Sequence, residues 1–168
     1  MVEETRLWIE KILQQLAAES YLDNVNLKDK DAVESRLTLG TNNYRLTSDD
    51  PGILEKPEQD HATRMLAQQA ADFTENYDII HHLPNRSSGF SATLMRHKDT
   101  GEYTLSFRST EFRDEINGGD GSRDGISGAD GQIANSGFAL AQLMQMEDYY
   151  QFLINDSGLI DASTQLDI

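Results

Sequence analysis

The chain has 168 residues, which suits one domain, and its formal net charge is −15 at pH 7. This charge argues against binding to nucleic acid or to anionic membrane surfaces, because both need basic patches. The absence of cysteine excludes disulfide frameworks, zinc–thiolate sites and thiol catalysis. No apolar run reaches the roughly 18 residues of a membrane span. Residues 1–5 lack the basic start of a secretion signal. The compartment is therefore undetermined, and secretion without an N-terminal signal is one of the alternatives.

Three helices are predicted in the first part of the chain. A broad apolar face predicts a helix over residues 2–19. Shorter helices are expected over 31–38 and over about 60–73. Between these two, residues 40–60 contain the Asn, Asp, Pro and Gly breakers of a loop. This loop is the only candidate linker.

A β-hairpin is the clearest predicted element. Apolar and polar residues alternate along residues 89–97 and again along 102–109. The connection ends in Gly101, where a turn of this kind needs a positive φ. A short strand is expected before the hairpin, over 77–82.

The last third of the chain begins with a polar segment, residues 113–131, that is rich in Gly and Asp. A long helix is predicted over 137–154, with Ser136 as its N-cap. Its apolar residues surround most of the cylinder, so it needs cover on most sides. Residues 164–168 begin an alternating strand, and a chain that stops as a strand begins looks cut.

A set of short strings between residues 60 and 168 forms a specific combination. The strings are Ser88–Leu94, Thr100–Leu105, Phe107–Glu111, Gly118–Asp120, Arg123–Gly125, Gly128–Gly131, Gly137–Leu143 and Met146–Tyr150. Together they resemble the class 3-type lipases, and in particular a bacterial lipase-like group that often has calcium-binding repeat tails.

The resemblance implies an α/β-hydrolase and assigns roles to two residues. Thr110 would donate its backbone N–H to the oxyanion of the transition state, and Ser109 stands in the same loop where many relatives have Gly. In that family the strand after the long helix leads into the Gly-x-Ser-x-Gly nucleophile elbow. This chain contains no such pattern, and the elbow would begin within a few residues beyond Ile168. We therefore expect the chain alone to be inactive on esters.

The four histidines are not expected to supply the catalytic base. All of them precede the expected serine, whereas the base of an α/β-hydrolase follows it in chain order. We interpret them as structural or surface residues. Arg108 is interpreted as an anchor of the oxyanion loop, paired with a carboxylate rather than with substrate.

The polar segment after the oxyanion loop allows two interpretations. In lipases the equivalent segment covers the site, so residues 114–135 are predicted to form a mobile lid. Its acidic residues also suggest a calcium site with Asp120, Asp124 and Asp130 as ligands. However, the twelve-residue calcium-loop pattern, started at Asp120, ends at Gly131 where it requires a bidentate Glu. A plain acidic loop without a bound ion is therefore the alternative. The predicted function requires no cofactor, and calcium is an optional ion.

The sequence thus predicts a single α/β domain with a partial α/β-hydrolase-like sheet. The sheet would contain the hairpin at about 89–109, packed by three or four helices. Its parts would be a helical lead at 1–73, a sheet with the oxyanion loop at 77–116, a lid-like loop at 114–135 and the helix at 137–154.

The predicted function is that of the front portion of a lipase or carboxylic-ester hydrolase, whose intact parent acts on a lipid or ester. The alternative is a non-catalytic acidic module for binding or regulation, which in one version binds calcium. An incomplete sheet leaves an edge and an apolar face exposed. We therefore also expect a homo-oligomer, formed through the sheet edge and residues 137–168.

Overall fold

The computed structural model describes residues 2–20, 22–39, 64–108 and 128–168. The helices of these segments are α1 (Val2–Glu19), α2 (Lys30–Leu39), α3 (Ala67–Asn76), α4 (Ala129–Ser136) and α5 (Leu140–Gln151), and α5 continues as a π-helical turn at Phe152–Asp156. The strands are β1 (Tyr77–Leu83), β2 (Ala92–His97), β3 (Tyr103–Phe107) and β4 (Leu166–Asp167). Within the described segments, none of the helices has the length and hydropathy needed to cross a membrane.

The four strands form one mixed sheet in the order β1-β2-β3-β4. Antiparallel pairing joins β1 to β2 and β2 to β3, while β4 lies parallel to β3. The predicted hairpin is confirmed as β2 and β3, and Gly101 in its turn has a φ of +74°, a conformation that favours glycine. Helices packed on a mixed sheet, with α4 and α5 between the parallel strands, confirm the general α/β class.

Each face of the sheet has its own apolar core, because side chains alternate between the two faces of a strand. The α1–α3 core contains Ala17, Leu22, Val33, Leu37, Met65, Ala70, Phe73, Tyr77, Ile79 and Met95. The α5 core contains Leu83, Phe90, Ala92, Leu94, Leu105, Tyr149, Leu153 and Ile160. The sheet is therefore covered on both sides, by the first three helices on one side and by α5 on the other.

The first two helices lie where they are predicted, whereas α3 begins and ends later than the predicted 60–73. The backbone N–H of Met65 donates to the carbonyl oxygen of Leu37 at the end of α2, at 3.0 Å. This bond satisfies a carbonyl at the end of the helix. It also holds Met65 at a buried position beside α2. Next, the side-chain oxygen of Gln69 accepts from the N–H of Leu66 at 2.8 Å, so the helix starts only after this point.

The predicted long helix at 137–154 is wrong in its first turn, because two helices meet there. Gly137 has a φ of +83°, and its N–H closes the last turn of α4 at 2.8 Å. A left-handed glycine of this kind ends a helix, so Ser136 is the last residue of α4 and not the N-cap of α5. The side-chain oxygen of Gln132 in α4 accepts from the N–H of Ala141 at 3.3 Å and satisfies a donor at the start of α5.

The end of α5 widens into a π-helical turn. Ser157 donates its N–H to the carbonyl of Phe152, five residues earlier, at 2.9 Å. The turn includes Leu153, which is fully buried in the α5 core. After it the chain returns to the sheet, where the predicted strand at 164–168 is present as the short β4.

Candidate functional site

The carboxyl ends of β1 and β3 lie at one edge of the sheet. Strands β1 and β3 run in the same direction because each is antiparallel to β2, and β4 is parallel to β3. Ala92 pairs with Leu83, the last residue of β1, and also with Phe107, the last residue of β3. Open α/β sheets bind ligands outside the carboxyl ends of their strands. This edge, which we call the carboxyl edge, is therefore the candidate site.

A β-bulge close to this edge sets the directions of two histidines. The register shifts between Ile79 and His81, which leaves Ile80 as the extra residue. Ile80 packs against the α5 core, and His81 bonds to a side chain of α5, so two successive side chains lie on one face. His82 consequently lies on the opposite face, toward the α1–α3 side. Bulges are frequent next to active sites, where they redirect side chains.

His82 is held by hydrogen bonds on both sides of its ring. Its Nε2 lies 3.0 Å from Oδ1 of Asp23, and its Nδ1 lies 2.9 Å from Oγ1 of Thr93. The order carboxylate, imidazole, hydroxyl is that of a hydrolase triad. However, Thr93 is fully buried within β2, and the side chain of His82 is only 2% exposed. The imidazole and the hydroxyl cannot meet a substrate, so the cluster ties the connection between α1 and α2 to the sheet.

The protonation of this cluster agrees with a structural role. Burial lowers the pKa of His82, and this effect exceeds the opposing one of the hydrogen bond to Asp23. The same bond lowers the pKa of the Asp23 carboxyl below its ordinary value. A neutral His82 therefore donates from Nε2 to the carboxylate and accepts the hydroxyl proton of Thr93 at Nδ1. For His82, the interpretation as a structural histidine is confirmed.

A cleft of about 490 Å³ opens beside His81, between the end of β1, the loop that follows it and α5. Its lining is His81, His82, Leu83, Pro84, Arg86, Gln145, Asp148, Tyr149 and Phe152. Nδ1 of His81 lies 2.8 Å from the hydroxyl oxygen of Tyr149, and its ring lies 5.4 Å from that of Phe152. Burial lowers the pKa of His81, with smaller contributions from the charges of His82 and Arg86. The ring is therefore neutral at physiological pH.

A series of aromatic contacts joins this cleft to the end of β3. The ring of Tyr149 lies 6.4 Å from that of Phe90, and Phe90 lies 5.7 Å from Phe107. Phe107 comes two and three residues before Ser109 and Thr110 in the sequence. The cleft and the start of the predicted oxyanion loop are thus connected along the same edge of the sheet.

A second cleft, of about 570 Å³, lies at the other edge. The first residues of β1 and β3, Tyr77 and Tyr103, line it together with both residues of β4, Leu166 and Asp167. It is larger than the cleft beside His81, but it opens at the amino ends of the parallel strands. Because aromatic contacts connect the cleft beside His81 to the end of β3, where the predicted oxyanion loop begins, we assign the candidate site to the cleft at the carboxyl edge.

Arg108 anchors the end of β3, and its contacts include main-chain groups, whereas the sequence predicted an anchor paired with a carboxylate. Its guanidinium donates to the carbonyl oxygens of Ala18 at 3.5 Å and Ser20 at 3.2 Å. Its backbone N–H donates to the carbonyl of Ser91 at 3.1 Å. The charge of Arg108 also lowers the pKa of Asp23. The start of the predicted oxyanion loop is therefore fixed to α1 and to β2.

The predicted site residues lie mostly outside the described residues. This holds for Ser109 and Thr110 and for two of the three candidate calcium ligands, Asp120 and Asp124. The third, Asp130, lies in α4, where its backbone but not its side chain is described. In 2–20, 22–39, 64–108 and 128–168, no group of three acidic or histidine side chains could hold a metal ion. The helix α4 also replaces the loop that was predicted to continue to residue 135.

Sequence reasoning missed the cleft itself. Its central pair, His81 and Tyr149, is 68 residues apart in the chain, so no local pattern joins them. One signal was present, because two adjacent histidines follow an apolar pair in a short predicted strand. A regular alternation would have placed His81 on the α1–α3 face, and only the bulge brings it to the cleft.

Comparison of the chain with protein-family models, with curated proteins and with solved structures finds no match.

Proposed function

We propose that the chain is the front portion of a lipase-like hydrolase of carboxylic esters. In this proposal Thr110 supplies an oxyanion donor, Ser109 shapes the same loop, and the serine nucleophile follows β4. The resemblance of its sequence strings to class 3-type lipases suggests this role. The described part of the fold supports it through the relation between β3 and β4.

The parallel pairing of β3 and β4 is the observation that carries the proposal. Tyr103 pairs with Leu166 and Thr104 with Asp167, a constant offset of 63 residues. With the same offset, Phe107, the last residue of β3, is level with a position two residues beyond Ile168. The nucleophile of an α/β-hydrolase lies on the turn that follows such a strand, next to its oxyanion donors. A strand that extended β4 along the whole of β3 would therefore bring a following nucleophile elbow to the carboxyl edge, next to the loop proposed to contain Thr110.

The test is the hydrolysis of p-nitrophenyl butyrate by this chain and by a version extended by the next 150 or so residues of its reading frame. We expect activity only in the extended version, because acyl transfer needs the serine, its base and the acidic partner. Activity in neither version contradicts the proposal and favours the acidic binding module. Activity in this chain alone would place the nucleophile elsewhere and would also contradict it.

A pair of variants in the extended version tests the role of Thr110. Thr110→Pro removes the backbone N–H and should lower kcat by about 10²–10³. Thr110→Ala keeps this N–H and removes the hydroxyl, so it is the matched control and should retain most of the activity. Equal losses in the two variants would assign the effect to the hydroxyl or to folding, and would contradict the backbone oxyanion donor.

A further inference from the structure

The second nitrogen of the His81 ring is free to bind a ligand. Within the described residues, Nδ1 of His81 bonds to the Tyr149 hydroxyl, and no group bonds to Nε2. The hydroxyl of Tyr149 is buried, and burial keeps its pKa far above the ordinary value, so it retains its proton. A buried O–H needs an acceptor, and Nδ1 of His81 is the one that the described structure offers it.

This hydrogen bond fixes the tautomer of His81. Because Nδ1 accepts the proton of Tyr149, the neutral ring carries its own hydrogen on Nε2. The side chain of His81 is one wall of the cleft and is half-buried. The N–H at Nε2 of His81 is therefore a hydrogen-bond donor at the wall of the cleft. Tyr149 holds it in one orientation, and a ligand can supply its acceptor.

The other polar groups of the cleft favour an anionic acceptor. Arg86 adds a side chain that can only donate hydrogen bonds. The amide of Gln145 is bound at both ends, since it accepts from Ser88 at 2.6 Å and donates to Ser87 at 3.4 Å. The one acidic lining residue, Asp148, is exposed at the rim. Arg86 is exposed at the rim as well, so Nε2 of His81 is the donor that lies with the buried ring of Tyr149.

The apolar part of the lining is aromatic. Tyr149 and Phe152 stack at 6.2 Å with an interplanar angle of 15°, and the ring of His81 lies against both. Aromatic rings prefer offset-stacked or edge-to-face neighbours, which add to the effect of apolar burial. The volume of about 490 Å³ falls in the usual range for sites of small organic ligands.

We propose that this cleft binds a small monocarboxylate with an aromatic body, whose carboxylate accepts a hydrogen bond from Nε2 of His81 and whose ring packs on Phe152. The site goes beyond the proposed function, because it requires neither a nucleophile nor an oxyanion donor. The positive charge of Arg86 at the rim favours an anionic ligand, and the aromatic body excludes water from the cleft.

The test is a titration of the full 168-residue chain with 3-phenylpropionate, followed by calorimetry and by the NMR signals of the His81 ring. Two other ligands separate the two parts of the proposal: 3-phenylpropan-1-ol has the ring without the carboxylate, and hexanoate has the carboxylate without the ring. We expect each to bind at least about tenfold more weakly than 3-phenylpropionate. Equal binding of the alcohol would overturn the contact with the carboxylate. Equal binding of hexanoate would overturn the packing of the aromatic ring.

The direction in which the pKa of His81 changes is a second readout, because apolar adsorption alone would bury the ring further and lower this pKa. A carboxylate beside the ring stabilises its protonated form, so 3-phenylpropionate should raise the pKa of His81. The charged groups around this ring are Arg86 on the loop, His82 on β1 and Asp148 on α5. Because His82 lies on the other face and is bonded to Asp23 and Thr93, the pKa of His82 should change less than that of His81 and is the internal reference. An unchanged pKa for His81 overturns the proposed contact.

Three variants assign the effect to the ring nitrogen. His81→Phe keeps an aromatic ring and removes the donor, so it should weaken binding about tenfold. His81→Gln supplies an amide donor and should recover part of the affinity. Tyr149→Phe removes the hydroxyl that fixes the tautomer of His81, and it should weaken binding less than His81→Phe does. Unchanged binding in His81→Phe contradicts the proposal, and His81→Gln decides the case if His81→Phe does not fold. The result is independent of ester hydrolysis by the extended version, so either proposal can fail alone.

Discussion

At the residue scale, the two neighbouring histidines of β1 have different tasks. His82 is neutral, buried and bonded on both sides, and it joins Asp23 to the sheet. Among the described residues, His81 is bonded through Nδ1 only, and its side chain lines the cleft. Burial is the largest cause of the lowered pKa of each ring. Both histidines therefore link the stability of the fold to pH.

We predict that the free energy of unfolding falls as the pH is lowered below 6.5, the ordinary pKa of histidine. In the folded chain the pKa values of His81 and His82 are lowered, so between those values and 6.5 the unfolded chain binds more protons. Each extra proton changes the stability by at most about 1.4 kcal/mol per pH unit. Urea unfolding at several pH values between 7.5 and 5 measures the slope.

A variant separates the two contributions to that slope. His82→Gln keeps an amide donor for Asp23 but does not titrate, so its slope should be about half that of the parent chain, from His81 alone. The lowered pKa of Asp23 acts in a separate range, since its contribution is complete above 3.8 and is lost only in stronger acid. A slope that is the same in His82→Gln would show that His82 does not contribute.

At the scale of the elements, α5 depends on its buried side chains for its position on the sheet. Tyr149 and Leu153, one helical turn apart, both belong to the α5 core. Several other side chains of the helix are exposed, among them Leu140, Leu143 and Met144. The uniform apolar surface that the sequence predicts is therefore divided into a packed side and an uncovered side. The same substitution should have different effects on the two sides.

We predict that Leu153→Ala lowers the free energy of unfolding by about 2–5 kcal/mol, because it leaves a cavity at a fully buried position. Leu143→Ala is the matched control, since it removes the same atoms from the same helix at a position that is 44% exposed. Its effect should stay within about 0.5 kcal/mol. Urea unfolding of the three proteins measures both values. Similar losses in the two variants would place the buried side of α5 elsewhere.

At the scale of the whole molecule, apolar surface and strong negative charge act against each other. Large apolar side chains are exposed on α4, on α5 and between them: Ile133, Phe138, Leu140, Leu143 and Met144. In the described part of the sheet, β1 and β4 each pair on one side only. Surfaces of both kinds favour association. The net charge of −15 opposes it by repulsion between copies.

We therefore predict self-association that becomes stronger with salt, because salt screens the repulsion between copies and leaves the apolar attraction in place. Sedimentation velocity at low and high ionic strength measures it. Leu140→Glu should weaken the association by placing a charge in the apolar surface. Leu39→Glu is the control, since Leu39 is 61% exposed, against 53% for Leu140, but lies at the end of α2. A chain that stays monomeric at high concentration and high salt would contradict this prediction.

Local patterns in the sequence predict the parts of the fold that depend on neighbours in the chain. The hairpin follows from alternation and from Gly101, and α1 follows from its apolar face. The start of α3 does not, because it depends on the bond between Met65 and Leu37, which are far apart in the sequence. The Ser136-Gly137 pair leads to the wrong start for the last helix because each residue favours a different helix end. A serine favours a helix start and a glycine favours a helix end, and the glycine decides here.

The candidate site could be predicted only where the resemblance supplied it. Ser109 and Thr110 came from the lipase-like strings and lie outside the described residues. The cleft beside His81 needed two facts that no local pattern contains. These are the bulge at Ile80, which depends on pairing with β2, and the contact with Tyr149, which depends on where α5 packs.

The bulge at Ile80 also has a consequence for how this chain is to be aligned with other sequences. A strand without the bulge would be one residue shorter between Ile79 and His81, while every other side chain would keep its face. An alignment gap placed at Ile80 therefore preserves the correspondence of both cores. A gap placed elsewhere in β1 exchanges the faces of the residues between it and Ile80. For this strand, the position of a single gap decides whether His81 is matched to a cleft residue or to a core residue.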